Sequence, residues 1–119
     1  MKLIVAGSRT VDDYSAVEIE IVERFHVPSL HIISGGAKGA DRLAERFAYK
    51  HGLPIDIVPA EWDTYGKSAG YRRNQVMAAM GDELIAFWDG HSKGTKHMID
   101  IALSVGIPVT IITMRGESE

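Results

Sequence analysis

Two kinds of segment alternate along this chain. The first is short, β-branched and apolar: Leu3-Ile4-Val5-Ala6, His31-Ile32-Ile33, Ile55-Asp56-Ile57-Val58, Glu83-Leu84-Ile85-Ala86-Phe87-Trp88 and Val109-Thr110-Ile111-Ile112. Near-continuous apolar runs of this length predict strands buried on both faces, as in a parallel sheet. The second kind has helical spacing. Val17, Ile21, Val22 and Phe25 mark one apolar face, Leu43, Ala44, Phe47 and Ala48 a second, and Met98, Ile101, Ala102 and Val105 a third. Asp12-Asp13 suits the start of the first of these helices. A further helix is predicted over 71–80, with Met77 and Met80 available for its buried side.

Breakers separate the segments. Gly52-Leu53-Pro54 and Gly106-Ile107-Pro108 each set a glycine stop before a proline at the mouth of the next strand. The stretch 59–70 is long and irregular, which predicts either a binding loop or a mobile lid. The resulting order is βα, βα, β-loop-α, βα, β. It predicts one α/β domain over residues 1–119, a Rossmann-like three-layer α/β/α sandwich around a five-stranded, mainly parallel sheet. Ligands of such sheets sit beyond the carboxyl ends of the strands, near the topological switch point. The strand-to-helix turns are therefore where chemistry is expected.

Composition narrows the classes. Thirteen Lys+Arg against sixteen Asp+Glu leave a net charge of −3, which argues against a general binder of nucleic acid or anionic membrane. The chain has no cysteine, which excludes disulfide scaffolds, thiol nucleophiles and thiolate metal sites. No apolar run approaches the ~20 residues needed to span a bilayer, and the expected location is cytoplasmic with no membrane partner. The five histidines show neither metal-ligand spacing nor a place in a Ser-His-Asp constellation. No metal and no cofactor are expected.

Three turns and one helix start carry candidate chemistry. After the first strand, Gly7-Ser8-Arg9 offers close backbone approach, a hydroxyl and a planar anion donor. After the second, Ser34-Gly35-Gly36-Ala37-Lys38-Gly39-Ala40-Asp41 crowds three glycines at a helix start. That arrangement suits backbone N–H groups facing an anion, a reading the clustering of glycines favours over a tight turn with Gly39 allowing close helix packing. The spacing is neither Walker A nor Gly-x-Gly-x-x-Gly. Asp41 either caps its helix or accepts from a ribose hydroxyl. After the fourth strand, Asp89-Gly90-His91-Ser92-Lys93-Gly94-Thr95 repeats small hydroxyl and glycine residues at a helix start, beside lysines. Finally, Gly70-Tyr71-Arg72-Arg73-Asn74 places two cations where the helix dipole disfavours them. Trp62, Tyr65 and Tyr71 are available to stack on a base or to pack.

Taken in order, Gly7-Ser8-Arg9, Ser34 to Asp41, Pro59-Ala60-Glu61-Trp62, Ala69 to Asn74 and Ser92-Lys93-Gly94-Thr95 resemble the YspA/cpYpsA-related branch of the SLOG superfamily. The resemblance runs from about Leu3 to Ile112. That superfamily also includes the "lonely guy" phosphoribohydrolases and DNA-processing protein A. The latter has a comparable Ser-Gly-x-Ala-x-Gly-x-Asp turn and Arg-Asn helix start, matched here by Ser34 to Asp41 and by Arg73-Asn74. The resemblance implies a Rossmann-like domain that binds a nucleotide or nucleotide derivative. The phosphoribohydrolases carry Pro-Gly-Gly-x-Gly-Thr and then a catalytic glutamate. Here Gly94-Thr95 is kept, but Lys96-His97 follows and no Pro-Gly-Gly precedes. Glu61, Asp89 and Asp100 are the candidate substitutes.

The leading expectation is binding of a phosphorylated nucleotide or ADP-ribose-like ligand at the carboxyl edge of the sheet, for sensing or sequestering. Gly35, Gly36, Gly39, Ser92, Gly94 and Thr95 would hold phosphate, Arg9 and Arg73 would clamp charge, and Asp41 or Asn74 would take ribose hydroxyls. Gly7, Ser8, Ser34, Lys38 and Arg72 complete the expected ligand set, with Trp62 for a base. One alternative is hydrolysis of a nucleotide N-glycosidic or phosphate bond. A second is single-stranded DNA binding through Arg72 and Arg73, against which the net charge counts. Relatives often associate through helix faces, which leaves a homo-oligomer open.

Overall fold

The computed structural model describes residues 1–114. Its strands are β1 (Lys2–Gly7), β2 (His31–Ser34), β3 (Ile55–Ile57), β4 (Glu83–Trp88) and β5 (Val109–Thr113). The helices are α1 (Tyr14–Arg24), α2 (Ala40–Lys50), the single turn α3 (Trp62–Tyr65), α4 (Ala69–Met80) and α5 (Lys93–Val105). The strands form one sheet in the order β3-β2-β1-β4-β5, and every neighbouring pair is parallel. The chain winds outward from β1 to β3, then crosses to β4 on the other side of β1. The switch point therefore lies between β1 and β4.

Alternation along the central strands builds the two flanking layers. Leu3, Val5, Ile32, Ile85 and Phe87 turn to one face, where they pack with Val17 and Ile21 of α1 and Ala44 and Phe47 of α2. Ile4, Ala6, Ile33, Leu84 and Ala86 turn to the other, against Met77 and Ala78 of α4 and Met98 and Ala102 of α5. Both faces of β1 and β4 are thus covered, as their unbroken apolar runs predict. The edge strands differ: Ile57 and Ile111 are half exposed.

Caps fix where helices begin and end. The Asp13 carboxylate accepts the Ala16 N–H at 3.1 Å and starts α1. Ser92 does the same for α5, its Oγ accepting the Thr95 N–H at 3.3 Å. The irregular stretch 59–70 holds more structure than expected. It contains α3, a 3₁₀ turn at Gly66–Ser68, and the first two residues of α4. A single helical turn shows no period in the sequence, so only its breakers were visible there.

Candidate functional site

The carboxyl edges of β1, β2 and β4 open into a cleft of about 680 Å³ at the switch point. Gly7, Arg9 and Thr10 line it from the turn after β1, and Gly35, Gly36, Ala37, Lys38 and Asp41 from the turn after β2. Asp89, Ser92, Lys93, Gly94 and Thr95 line it from the turn after β4. Trp62, Gly70, Tyr71, Arg73 and Asn74 close the side formed by α3 and α4. Four basic side chains (Arg9, Lys38, Arg73, Lys93) face two acidic ones (Asp41, Asp89), in a chain whose net charge is −3. The acidic total conceals a basic cleft.

Close contact between turns sets the geometry. Gly39 has φ +77°, and a Cβ there would strike the Ser8 carbonyl and the backbone of Arg9. This residue lets the first and second turns touch, a contact reinforced by Ala40 N–H donating to the Ser8 carbonyl at 3.3 Å. Gly39 thus serves packing and does not line the cleft. Ser8 and Ser34 are buried beneath it. Ser8 Oγ accepts the Asp89 N–H at 3.1 Å, tying the first turn to the fourth. Ser34 Oγ accepts the Gly36 N–H at 3.2 Å and donates to the Asp41 carbonyl, also at 3.2 Å. Both serines hold turns in place.

Arg73 and Asn74 form the bolt across the cleft. Arg73 Nη1 donates to the Gly35 carbonyl at 2.6 Å, and its Nε donates to Asn74 Oδ1 at 3.0 Å. A guanidinium only donates, so the Asn74 oxygen must face it. The Asn74 amide then donates to the Gly94 carbonyl at 3.3 Å and to His97 Nδ1 at 3.1 Å. His97 accordingly accepts on Nδ1, and its pKa is held below the ordinary value by burial, against an opposing pull from Asp100. Burial also lowers the pKa of Arg73, partly offset by the nearby Asp41 charge. One side-chain chain therefore joins the second turn, α4 and the start of α5.

The carboxylates have distinct settings. Asp41 is buried, and that burial pushes its pKa up to about 6, against the Ala37 N–H and Arg73, while Glu45 adds to the rise. Its Oδ2 accepts the Ala37 N–H at 3.1 Å, so it braces the glycine turn, whereas Gly39 occupies the cap position of α2. Asp89 Oδ1 accepts from the N–H groups of His91 and Ser92 at 2.8 and 2.9 Å, which holds its pKa below the usual carboxylate range. Glu61 is exposed and does not line the cleft. Asp100 also stands outside it, paired with Lys96 at 2.8 Å.

The aromatic side is open. Trp62 is 54% exposed, and its ring lies against Gly70, where a Cβ would come within 3.3 Å of Cη2. Tyr71 packs on His97 with ring centroids 4.4 Å apart. Arg72 leaves the cleft and lies over the Tyr65 ring at 4.4 Å. Sequence reasoning missed Thr10, Met77 and Met98 as cleft residues. Met77 and Met98 carried only the signal of a buried helix face, which they also form.

A family model matches residues 1–65, that of the YspA, cpYpsA-related SLOG family. The chain belongs to this family. Its Gly7-to-Arg9 and Ser34-to-Asp41 turns fall within the matched residues, and the later turns lie beyond them. The Gene 61 protein of Mycobacterium phage D29 is 34% identical over 116 residues, covering 91% of this chain and 93% of the phage protein. Among solved structures, DNA processing protein A (DprA) from Streptococcus pneumoniae superposes with TM-score 0.77 at 22% identity. The match covers 98% of this chain but 52% of DprA, so the chain spans about half that protein's length. DprA from Helicobacter pylori, described for its single-stranded DNA binding mode, gives TM-score 0.67 at 19% identity, covering 98% of this chain and 67% of the other. At these identities the likeness is one of fold. It bears out the Rossmann-like architecture of this SLOG member. No helix among the described residues is long and apolar enough to cross a membrane.

Proposed function

We propose that this SLOG protein binds a phosphorylated nucleotide or nucleotide-derived molecule in the switch-point cleft, to sense or sequester it. One observation carries this reading: the glycine turn 35–38 and the start of α5 line one basic cleft at the carboxyl edge of the sheet. Lys93 and Gly94 open α5, and the first N–H groups of a helix have no partner within it. The positive end of the helix adds to Lys93, Arg9 and Lys38 in favouring an anion. Trp62, exposed beside the cleft, offers a face for the base.

Binding is favoured over hydrolysis by the carboxylates. Asp100 pairs with Lys96 and Glu61 stands outside the cleft, which leaves of the three candidates only Asp89 on its wall, with Oδ1 bracing its own turn. Single-stranded DNA binding enters through the DprA fold likeness. Here Arg72 lies on Tyr65 and Arg73 on Gly35, leaving no basic track beyond the cleft among the described arginines of α4. A cytoplasmic setting fits a nucleotide-derived ligand.

Titration calorimetry with AMP, ADP-ribose, inorganic phosphate and a single-stranded oligonucleotide tests the reading. Saturable binding of AMP or ADP-ribose, lost in Gly36→Asp, is the expected result. Binding of the oligonucleotide alone would transfer the function to DNA, and binding of none would remove the proposal.

A further inference from the structure

Asp41 sits on the cleft wall with one oxygen committed and one not. Oδ2 holds the Ala37 N–H, while no hydrogen bond to Oδ1 is formed among the described residues. No side-chain oxygen or nitrogen among them is both sealed from solvent and without a partner. Asp41 lines the cleft and is 6% exposed, so the uncommitted Oδ1 opens into the cleft. Gly35 lies beside this carboxylate, its Cβ position 2.9 Å from Oδ2, with the Arg73 guanidinium against the same glycine. A negative acceptor thus stands among the positive donors of an anion cradle.

A site built only for a fully ionised oxyanion would gain nothing from that carboxylate, which repels such a ligand. An ionised carboxylate accepts hydrogen bonds and donates none. It favours a ligand group that brings its own hydrogen, and a hydrogen bond to a charged group is among the stronger ones. We propose that Asp41 makes the cleft selective for ligands carrying an O–H donor next to their phosphate charge, accepted by Oδ1. The inference rests on the cleft being the ligand site, as proposed above. Two sources supply such a donor: a ribose hydroxyl, or the proton of a phosphate monoanion or monohydrogen form.

The substitution Asp41→Asn reads this directly. Its carbonyl must turn to the Ala37 N–H, which leaves the NH₂ group, a donor, facing the cleft. Calorimetry at about pH 8, where the wild-type carboxyl is ionised, compares AMP with its dideoxyribose analogue, and inorganic phosphate with sulfate. The wild-type protein is expected to prefer the O–H-bearing member of at least one pair by roughly tenfold or more. Asp41→Asn erases that preference and tightens sulfate. Loss confined to the AMP pair assigns the donor to the sugar, and loss confined to the phosphate–sulfate pair assigns it to the phosphate. Equal wild-type affinities within both pairs overturn the inference, whatever the variant does. So do wild-type preferences that persist in Asp41→Asn. If no ligand binds the wild-type protein, the cleft reading falls first and takes this inference with it.

Discussion

Arg73 reaches 38 residues back along the chain to donate to the Gly35 carbonyl at 2.6 Å. The contact exists because position 35 has no side chain. A Cβ there would fall on the guanidinium and within 2.9 Å of Asp41 Oδ2. Gly35→Ala should therefore push Arg73 off its carbonyl while leaving the layers of the sandwich intact. Because the displaced group is the far end of a flexible side chain, the expected cost is about 1–2 kcal/mol of stability. Anion affinity should fall roughly tenfold or more as the guanidinium leaves the turn. Urea denaturation and phosphate calorimetry on the same variant separate the two effects. A variant that binds phosphate normally would show that this contact does not shape the cradle.

Asn74 translates that contact to the start of α5, and its two ends have different needs. Asn74→Ala strips partners from Arg73 Nε, the Gly94 carbonyl and His97 Nδ1 in a buried setting. The expected loss is about 2–3 kcal/mol in urea denaturation. Asn74→Asp keeps an acceptor for Arg73 but sets a carboxylate oxygen against His97 Nδ1. His97 then gains by protonating, so its pKa should rise from its depressed wild-type position. An NMR titration of the His97 ring checks this, and an unchanged midpoint would refute the contact between residue 74 and His97 Nδ1.

The sheet was legible in the sequence because β1, β2 and β4 are covered on both faces, and full burial leaves unbroken apolar runs. The turns were legible for a related reason: the glycines of 35–39 are unfavourable inside elements and had to serve a loop. What each turn residue does was harder to read. Ser8, Ser34 and Gly39 belong to the same motifs as the cleft residues, yet Ser8 and Gly39 hold one turn against another and Ser34 braces its own. Adjacent Arg72 and Arg73 look equivalent as letters, but successive positions on a helix point about 100° apart. One lies on Tyr65 outside the cleft and the other bolts its wall. Asp100 looked like a free carboxylate until α5 placed Lys96 one turn before it.

Trp62 gives a test of what occupies the open end of the cleft. Its half-exposed ring contributes little to the core, so Trp62→Ala should change stability by no more than about 0.5 kcal/mol. If a base stacks there, the loss should be about 1–3 kcal/mol in affinity for AMP, with inorganic phosphate unaffected. The ratio of the two affinities, measured by calorimetry, is the decisive number. Equal weakening of both ligands would instead mean that Trp62 supports the phosphate turns through Gly70.

Two carboxylates give stability opposite dependences on pH. Burial raises Asp41 from 3.8 to about 6, so between about pH 4 and pH 6 the folded chain holds a proton there that the unfolded chain has released. Its contribution is fully present below about pH 4 and is lost as pH rises through about 6, on the order of 3 kcal/mol. Arg73 from α4 opposes this rise and Glu45 on α2 adds to it. Glu18 does the reverse. Hydrogen bonds from Lys50 and His51 lower it from 4.5 to about 2, with Lys50 at 2.9 Å and His51 at 2.8 Å joining α1 to the end of α2. Its contribution is present above about pH 4.5 and is lost as pH falls through about 2. Urea denaturation across this range should show Asp41→Asn more stable than wild type at pH 8, with that advantage shrinking towards pH 4. Glu18→Gln should be less stable at pH 8 and converge with wild type in acid. Parallel curves for either variant would mean that the group it replaces has the same proton affinity folded and unfolded.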